Sequence, residues 1–540
     1  MASGTVISRV LGFVRAVLLA AMIGVTTDAA DAFGVANQLP NNVYAIIVGG
    51  VLNAVLVPQL VRAHSHTDGG RGYIDRLLTL AIVVFGSITI LATAAAPLLV
   101  QLYTSGWKPE LLALATAFAY WCLPQLFFYG IYSMLGEVLN SRSAFGPFMW
   151  APVLNNVVAL GGMVAYILIF GMDPTGERAV SSWGTGQVTL LAATATAGVA
   201  AQALILFVSW RRIGLHFKFN FQWRGFGLRP ALKAASWTLA MVIVTQLAGL
   251  VQTAVASTAA TNRSSVAVAS IAAASIAWLI FMLPHSVVTV SVATAYFTKI
   301  SQHAHAGRLS DLKENVLAGL KTIGLVSLLA SAALIILAYP AARVFVGEYP
   351  ATVALGNVII ALMVGLLPFS FAFFLQKAFF ALEDTRTPFF ITLAQSVLYV
   401  AGALTIGATV PAQQLVVSLS LMTSASVTLQ AVLAFVLLRR RIGSLGGGLF
   451  AAVSRFALAA VLAAAAGFGA LQLLGGTGQH APAVSSVVGA VLYSGVVGAV
   501  MLVVFAGALW LVRAPEFGLL SRAVSQIFTR VFGRGRGSAK

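Results

Sequence analysis

Charge is the property that this sequence has least of. Only 9% of its 540 residues are charged, whereas 59% are hydrophobic. About a quarter of the residues in an ordinary soluble domain are charged, so this composition excludes a soluble protein and indicates a polytopic membrane protein. The 32 lysines and arginines outnumber the 14 acidic residues. Because the basic residues are spread along the chain, their excess does not by itself indicate nucleic-acid binding.

Several kinds of chemistry are also missing. The single cysteine, Cys122, excludes an internal disulfide and a cysteine-built metal site. The sequence has no Gly-rich loop ending in Gly-Lys-Ser or Gly-Lys-Thr, so direct coupling to ATP is not expected. The few acidic residues lie mostly in loops and do not assemble the acidic metal site that a membrane transferase needs. We therefore expect neither an enzyme nor a cofactor.

Two histidine pairs, His64 with His66 and His303 with His305, end apolar runs. A spacing of two residues does not place both side chains on one helix face, and no carboxylate cluster accompanies them. We therefore expect no metal site.

Long apolar runs are what the sequence has in abundance. The first run has no small-residue cleavage site at its end and contains two arginines, so it is interpreted as a span rather than a signal peptide. We predict an all-α polytopic membrane protein with about fourteen transmembrane helices. The predicted spans are 5–25, 32–61, 77–103, 112–140, 147–170, 186–210, 233–257, 266–298, 316–342, 352–382, 387–409, 411–438, 450–475 and 484–512.

The distribution of lysine and arginine predicts the orientation. If both termini are cytoplasmic, 25 of the 32 basic residues lie in cytoplasmic segments or at cytoplasmic helix ends. Cytoplasmic loops are enriched in these residues, so both termini are expected inside a bacterial cytoplasmic membrane. The outer loops would then carry four: Lys108, Arg178, Arg263 and Arg343.

The chain repeats itself at an offset of 244 residues. Leu39-Pro40 corresponds to Leu283-Pro284, Leu123-Pro124 to Leu367-Pro368, and Asn140-Ser141-Arg142 to Asp384-Thr385-Arg386. Each repeat spans six helices, an even number, so the two lobes are parallel repeats related by an axis along the membrane normal. Such a pair of lobes around a cleft is typical of a transporter that works by alternating access.

The repeat also predicts the domain boundaries. We expect an N-terminal lobe over 1–211, a cytoplasmic linker over 212–232 and a C-terminal lobe over 233–441. Two additional helices follow over 442–513, and a basic amphipathic tail over 514–540 is expected to lie on the anionic inner leaflet. The linker interleaves aromatic and basic residues in HFKFNFQWR, which favours an interfacial aromatic belt over RNA binding.

Arg9 and Arg15 lie inside the first span. A charge at bilayer depth costs at least ~2.5–3.5 kcal/mol, so it is kept where it faces a wet cavity, a partner or a ligand. Arg9 is about one turn from the cytoplasmic end and could instead snorkel to the headgroups, whereas Arg15 is nearer the middle. Arginine binds phosphate oxygens with two parallel hydrogen bonds and keeps its charge.

Other charged groups are candidates for gating or binding. Asp31 begins the second span, where it could cap the helix or serve as an outer-gate partner for a basic group. Glu137 lies in span 4 and Lys377 in span 10, at similar depths in the two repeats. They could form a cross-lobe ion pair, Lys377 could add to a cationic cavity, or both could snorkel.

Four segments resemble the MurJ/MviN family of lipid II flippases, within the multidrug/oligosaccharidyl-lipid/polysaccharide exporter superfamily. They are ISRVLGFVR (7–15), DAFGVANQLPN (31–41), APVLNN (151–156) and EDTRTP (383–388). The resemblance runs in order from the N-terminus to about Arg441, and spans 13 and 14 are similar to the two extra helices of the family. It implies a divergent, actinobacterial-type member.

The resemblance implies transport of lipid II, the undecaprenyl-diphosphate-linked peptidoglycan precursor, from the inner to the outer leaflet. By it, Arg9, Arg15 and Asn41 are expected to bind substrate and Asp31 to act in gating. From their charge and position in the spans, Lys377 is expected to add to substrate binding and Glu137 to gating. It also implies membrane lipids and peptidoglycan-synthesis proteins as partners, and a monomer. The driving force is left open between membrane potential, sodium and protons.

The sequence departs from the family pattern at three positions. Ala16 stands where an acid commonly follows the second arginine, and Asn42-Val43-Tyr44 lacks the basic residue common in span 2. Trp278-Leu279-Ile280 occupies the stretch where span 8 commonly contributes an arginine, so Lys377 or Arg263 are candidates to replace the missing charge.

These departures keep other functions open. One is a related exporter of another polyprenyl-linked oligosaccharide. Another is a drug/cation antiporter, although such a protein should carry acids rather than arginines in the N-terminal cavity. A membrane enzyme acting on prenyl-phosphate lipids and a non-transporting scaffold are further alternatives.

Overall fold

The computed structural model describes residues 2–47, 71–142, 144–212, 217–222, 228–261, 268–445 and 448–512. Within these ranges the regular elements are helices and no strand is present. The tail over 514–540, the histidines at 64 and 66, and Arg263 lie outside them.

The helices of the first half of the described chain begin with a helix that carries both arginines. In chain order they are α1 (Ala2–Ile23), α2 (Asp28–Ile47), α3 (Arg71–Ala94), α4 (Ala96–Tyr103), α5 (Pro109–Cys122), α6 (Gln125–Ser141), α7 (Phe145–Phe170), α8 (Thr185–Arg212) and α9 (Leu228–Thr261). A short 3₁₀ turn, Val180–Ser182, precedes α8.

The second half continues in the same way, except that one π-helical turn interrupts it. The helices are α10 (Ile271–Pro284), α11 (Val290–His305), α12 (Leu309–Ile336), α13 (Ala338–Arg343), α14 (Tyr349–Met363), α15 (Leu366–Ala381), α16 (Arg386–Thr409), α17 (Ala412–Ile442), α18 (Gly448–Leu473), α19 (Pro482–Ser485) and α20 (Val487–Leu511). The π-helical turn, His285–Thr289, joins α10 to α11.

The described residues contain twelve helices long and apolar enough to cross a membrane. A thirteenth span is counted if α14 and α15, which meet at an angle of 44°, are taken as one bent crossing. The remaining predicted span, 32–61, begins in α2 but continues into residues 48–70, outside the described ranges. The all-helical polytopic fold is therefore confirmed, while the count of fourteen is not.

Two of the prolines inside predicted spans lie at helix breaks, whereas Pro40 does not interrupt its helix. Pro40 lies within α2, and Pro124 separates α5 from α6. Pro284 ends α10 immediately before the π-helical turn. Each proline removes a backbone donor, so the chain can bend where it lies between helices.

The described chain groups into two compact units. The first consists of Met1–Ile276, Phe345–Leu355 and Thr385–Met422, and the second of Ala277–Val344, Gly356–Asp384 and Thr423–Lys540. In the first, a core cluster between α3, α6 and α8 includes Leu78, Leu135 and Trp210. In the second, a core cluster includes Phe456 of α18 with Met501 and Phe505 of α20. The division into lobes at 211–233 stays a prediction.

The EDTRTP segment makes a sharp turn between α15 and α16. Glu383 adopts a φ of 58°, in the left-handed region that few residues other than glycine enter. Within the second unit, the buried Asp384 carboxylate accepts a hydrogen bond from the Arg441 guanidinium at the end of α17. The carboxylate therefore holds the turn to the last turn of a long helix.

Candidate functional site

The two arginines of α1 differ in their surroundings. Arg9 is exposed, whereas Arg15 is half-buried. Both lie in the candidate span Val6–Ile23. The ion pairs found in the described residues involve neither guanidinium. Arg15 interacts electrostatically with Tyr129 and Cys122, so its neighbours are polar or polarisable groups on α5 and α6 rather than a carboxylate.

The side of α6 near Arg15 carries a polar stripe. It consists of residues spaced four apart, which share one helix face: Gln125, Tyr129, Ser133 and Glu137. Gln125 is buried, and the Tyr129 hydroxyl donates a hydrogen bond to its Oε1 atom at 3.3 Å. The stripe places a hydroxyl next to the Arg15 guanidinium inside a membrane-spanning segment.

Helix α2 meets this stripe with its own polar residues. The Gln125 amide Nε2 donates to Asn37 Oδ1 at 3.2 Å. Asn41, one turn further along α2, is exposed and forms a side-chain hydrogen bond with Tyr129. Tyr44 follows, with its ring centroid 5.5 Å from that of Tyr129. We define the N-terminal polar cluster as Arg15, Asn37, Asn41, Gln125 and Tyr129.

The C-terminal end of the stripe carries an acidic residue, Glu137. Tyr44 forms a side-chain hydrogen bond with Ser133 and interacts electrostatically with Glu137. The Glu137 side chain is half-buried. Its predicted pairing with Lys377 stays a prediction, because the two residues belong to different units.

Asp31 has a structural role at the other end of α2. Its side chain is fully buried at 0% exposure. One carboxylate oxygen accepts from Ser270 Oγ at 2.5 Å and the other from the Ala272 backbone N–H at 2.9 Å. Ala272 lies in the first turn of α10, where N–H groups lack partners within the helix and favour a negative charge. Asp31 therefore caps α10 rather than its own helix.

Thr27 provides the cap of α2. The Ala30 backbone N–H donates to Thr27 Oγ1 at 3.1 Å, the geometry of an N-cap bond to the third residue of a helix. Because Thr27 satisfies that end of α2, the Asp31 carboxylate is left to join α2 to α10.

Two further amides fix the helices around the cluster. Asn156 Nδ2 of α7 donates to the Ser8 carbonyl of α1 at 2.9 Å. Gln246 Nε2 of α9 donates to the Asn42 carbonyl of α2 at 2.7 Å, two residues after Pro40. These bonds hold the two helices that carry Arg15 and Asn41 against their neighbours.

The second unit presents a different surface around Lys377. Its Nζ atom lies 5.5 Å from the Phe373 ring centroid and 5.9 Å from that of Phe380, at cation–π distance. Trp278 stacks on Phe281 with centroids 5.0 Å apart. The stretch where the resembled family commonly has an arginine is therefore aromatic here.

A buried histidine follows Pro284 in the π-helical turn. The His285 imidazole is 2% exposed, and its Nδ1 atom lies 3.0 Å from the Oγ atom of Ser370, which is itself buried. The rings of Phe369 and Phe373 approach it with centroids 4.6 and 5.2 Å away. Sequence reasoning did not select this residue, although a histidine after Leu-Pro in a span is a visible signal.

The 244-residue offset relates contacts in the two units. Asn37–Gln125 corresponds to Phe281–Phe369, which pack with centroids 5.3 Å apart. The Asn41–Tyr129 pair corresponds to the His285–Phe373 pair. The repeat read from Leu-Pro pairs thus reappears as equivalent packing between equivalent helices.

The described histidines at the end of α11 lie beside carboxylates. His303 Nδ1 is 3.6 Å from an Asp311 carboxylate oxygen, and His305 Nε2 is 3.4 Å from a Glu383 carboxylate oxygen. Among the residues with described positions, no group of three or more histidine, cysteine, aspartate or glutamate side chains could hold a metal ion.

Sequence reasoning selected the charges of the first unit but missed its uncharged polar residues, Asn37, Gln125 and Tyr129. The signal was available, since polar residues recur every four positions in both 37–41 and 125–137 of otherwise apolar helices. The pattern shows which residues share a helix face, but the meeting of the two faces is a property of the tertiary fold.

Comparisons with known proteins bear on the family and the fold of the chain. A family model described as lipid II flippase MurJ matches residues 19–492. A protein of Rhizobium meliloti (strain 1021), named probable lipid II flippase MurJ, is 27% identical over 417 residues, which cover 74% of this chain and 72% of that protein. A protein of the same name from Borreliella burgdorferi is 23% identical over 403 residues and covers 74% of each chain.

Solved structures show the same fold. A structure described as lipid II flippase MurJ in an inward closed conformation superposes with a TM-score of 0.70 at 18% identity, covering 94% of this chain and 98% of that one. An inward-facing multidrug resistance MATE family transporter of the MOP superfamily superposes with a TM-score of 0.59 at 18% identity, covering 81% and 98%.

Proposed function

Because the chain belongs to the lipid II flippase MurJ family, we propose that it moves lipid II from the inner to the outer leaflet of the bacterial cytoplasmic membrane. The proposed mechanism is alternating access between two lobes, in which membrane-embedded arginines bind the substrate diphosphate. Both termini are proposed to lie on the cytoplasmic side. The proposed partners are lipid II, membrane lipids and peptidoglycan-synthesis proteins.

The main support for the proposed binding of a diphosphate is the environment of the Arg15 side chain. Its guanidinium lies in a candidate membrane span and interacts with Tyr129 and Cys122, and the ion pairs of the described residues do not include it. A cation in this position gains from an anionic ligand because its desolvation is otherwise uncompensated. A diphosphate offers oxygens that match the planar fork of the guanidinium.

The other proposed binding residues extend the site. Arg9 is exposed. It lies six residues before Arg15, which is about 9 Å along α1 at 1.5 Å per residue. We propose that Arg9 contacts an entering diphosphate before Arg15 does. Asn41 is exposed and already hydrogen-bonded to Tyr129, which supports a role in orienting a sugar or phosphate oxygen. Lys377 would supply a second cation from α15, with its charge placed beside aromatic rings.

We propose that Asp31 works as an outer gate through its bonds to α10. The carboxylate holds the first turn of α10 to the first turn of α2. If α2 and α10 separate in the outward-open state, these two hydrogen bonds must break, so Asp31 sets part of the energy of opening. Glu137, near the C-terminal end of α6, is proposed to act at the inner gate.

The test of transport is depletion of the protein in its native bacterium, followed by measurement of lipid II in the outer leaflet. Loss of outer-leaflet lipid II with accumulation in the inner leaflet is the expected result. Restoration by the wild-type chain and not by the Arg15→Ala variant would tie transport to the site. Unchanged translocation after depletion would contradict the proposal.

The same strain separates the alternative functions. An exporter of another polyprenyl-linked oligosaccharide would leave lipid II translocation intact and change a different surface glycan. A drug/cation antiporter would change resistance to cationic drugs instead. Within the described ranges no ion pair includes Arg15, and a membrane-embedded cation in that setting favours an anionic ligand over a cationic drug.

A further inference from the structure

A short aromatic segment follows α8 and packs along α3. Residues 217–222 have no regular secondary structure, and the ring centroids of Phe217 and Phe219 lie 4.8 Å apart and those of Phe219 and Phe221 6.2 Å apart. Phe217, Phe219 and Phe221 therefore share one side. We call residues 217–222 the aromatic linker segment.

Hydrogen bonds fasten this segment to the first turns of α3. The Lys218 backbone N–H donates to Asp75 Oδ1 at 3.2 Å, and the Asn220 backbone N–H donates to Thr79 Oγ1 at 2.9 Å. Arg76 Nη2 donates to Gln222 Oε1 at 3.1 Å. Three bonds over five residues fix the position of the segment along the helix.

These bonds place the segment at the edge of the membrane. The candidate span of α3 begins at Gly72. At 1.5 Å per residue, Asp75 lies about 5 Å and Thr79 about 10 Å along the helix axis from the first residue of that span. Interfacial amphipathic elements bury their apolar side to a depth of about 5–10 Å at the boundary of headgroups and acyl chains. The segment thus lies at the depth of the interface.

The phenylalanines divide into one anchor and two exposed rings. Phe217 packs against the core cluster that contains Leu78, Leu135 and Trp210. Phe219 and Phe221 are 64% and 63% exposed, and their rings lie nearly parallel at 9° with centroids 6.2 Å apart. At interfacial depth, lipid covers such rings, since aromatic side chains prefer the headgroup region.

The charges beside the rings are basic. Arg211 and Arg212 end α8 and are exposed, as is Lys218 within the segment. The Asp75 carboxylate accepts a hydrogen bond from the segment's backbone and also interacts electrostatically with Lys218, so the charge of Lys218 is partly neutralised within the protein. Basic residues at a membrane surface are attracted to anionic lipids, so the exposed Arg211 and Arg212 favour anionic headgroups.

We propose that the aromatic linker segment is a membrane-interface anchor, with Phe219 and Phe221 inserted among anionic lipids on the side where α3 begins and α8 ends. The anchor ties the connection after α8 both to α3 and to the bilayer. The inference is independent of the transported substrate.

Site-directed spin labelling tests the insertion directly. Cys122 is the single cysteine and is buried, so a Cys122→Ala background accepts one new cysteine at a time. Nitroxide labels at Phe219→Cys and Phe221→Cys are placed in the full chain, reconstituted in vesicles of phosphatidylglycerol and phosphatidylethanolamine. Collision with oxygen is compared with collision with a water-soluble nickel chelate.

The measured quantity is the ratio of oxygen accessibility to nickel accessibility at each label. This ratio should be at least threefold higher at positions 219 and 221 than at Ser182→Cys, an exposed position in the turn before α8. Val503→Cys, on an exposed face of the α20 span, provides the lipid reference. Labels at 219 and 221 that collide with nickel as readily as the label at 182 would overturn the anchor. Insertion that persists unchanged in pure phosphatidylcholine would overturn the assignment to anionic lipids.

A second variant tests the fastening without touching the rings. Thr79→Val removes the acceptor of the Asn220 N–H, so the label at Phe221→Cys should become more mobile and more accessible to nickel. Thr89→Val is the matched control, because Thr89 lies on the same helix and its buried hydroxyl has no hydrogen-bond partner. Equal label mobility in the two variants would contradict the role of Thr79.

Discussion

Helices α6 and α15 occupy equivalent places in the repeat but carry opposite chemistry. Gln125, Tyr129 and Ser133 of α6 correspond at the 244-residue offset to Phe369, Phe373 and Lys377 of α15. In the first unit Gln125 is hydrogen-bonded to Asn37 of α2, whereas in the second unit the equivalent Phe369 packs against the ring of Phe281 of α10. The duplicated scaffold has kept its packing geometry while one half became polar and the other aromatic.

The difference indicates where an anion would bind. Arg15 of the first unit interacts with the Tyr129 hydroxyl and the Cys122 thiol, and that hydroxyl is bonded to the buried Gln125 amide, whereas Lys377 of the second unit lies over two phenylalanine rings. A cation–π contact is worth about 0.5–1 kcal/mol at an exposed site and about 2 when desolvated, so Lys377 is already partly compensated. Arg15 should therefore contribute more than Lys377 to binding of a diphosphate.

The largest expected effect comes from the two cations. Arg15→Ala should lower flipping about 10- to 100-fold, as expected for loss of a charge-assisted hydrogen bond of about 1.5–3 kcal/mol. Arg15→Lys should retain part of the activity, because lysine keeps the charge but not the planar fork. Lys377→Ala should cost only a few-fold. Lipid II translocation in reconstituted vesicles measures all three, and equal losses at the two positions would remove the proposed asymmetry.

The next largest effect is expected at the end of α2. Asp31→Ala leaves the first turn of α10 without its cap, at a cost of about 1–2 kcal/mol. Backbone hydrogen exchange should rise at 271–274. The equilibrium between the closed and open states of the proposed outer gate should also shift. Thr27→Ala is the control, since it removes the local cap of α2 and should raise exchange only at the start of that helix. Unchanged exchange in α10 after Asp31→Ala would exclude the capping role.

Substitutions at equivalent positions of the two units test the difference between them directly. Tyr129→Phe removes a hydroxyl bonded to Gln125 and Asn41, so flipping should fall several-fold at a stability cost of ~1 kcal/mol. The mirror change, Phe373→Tyr, adds a hydroxyl near His285 and should leave flipping nearly unchanged. Thermal unfolding in detergent and the vesicle assay measure the pair. A larger loss from Phe373→Tyr would place the sensitive half in the second unit.

The smallest effect is expected from the buried histidine contact. Ser370→Ala removes the partner of His285, and side-chain hydrogen bonds inside membrane proteins are worth about 0.6 kcal/mol on average. The melting temperature should fall by one or two degrees. Ser331→Ala, which removes a hydroxyl bond to the Met363 carbonyl in the same unit, provides the comparison. A much larger loss from Ser370→Ala would indicate that the π-helical turn depends on this bond.

Much of the architecture was readable from the sequence because the membrane imposes a strong constraint. A span must satisfy its backbone internally and remain apolar over about 20 residues, so the all-helical polytopic class follows from composition, while the count of fourteen spans is not confirmed. Of the Leu-Pro pairs that define the repeat, those at Pro124 and Pro284 coincide with helix breaks, whereas the pair at Pro40 lies within a continuous helix. The second span could not be compared in full, since residues 48–70 lie outside the described ranges.

The site was only partly predictable. Charges in apolar segments are conspicuous, so Arg9, Arg15 and Lys377 were found from the sequence alone. Uncharged amides and hydroxyls are common enough in membrane helices to carry little signal by themselves, and Gln125 and Tyr129 were missed for that reason. The partner of Asp31 is about 240 residues away in the chain, beyond any local pattern.

The sequence by itself determined that this is a helical membrane protein built as a repeat, and that two cations lie within its first span. Hydrophobicity and spacing suffice for those conclusions because they depend on each helix separately. Only the tertiary structure decided what those side chains contact, since that depends on which helix faces meet. It placed Tyr129 beside Arg15, Asp31 on the first turn of α10 and rings beside Lys377. In a low-dielectric interior, the neighbours of a charge set its energy, and so they decide which arginine or lysine has a ligand to gain.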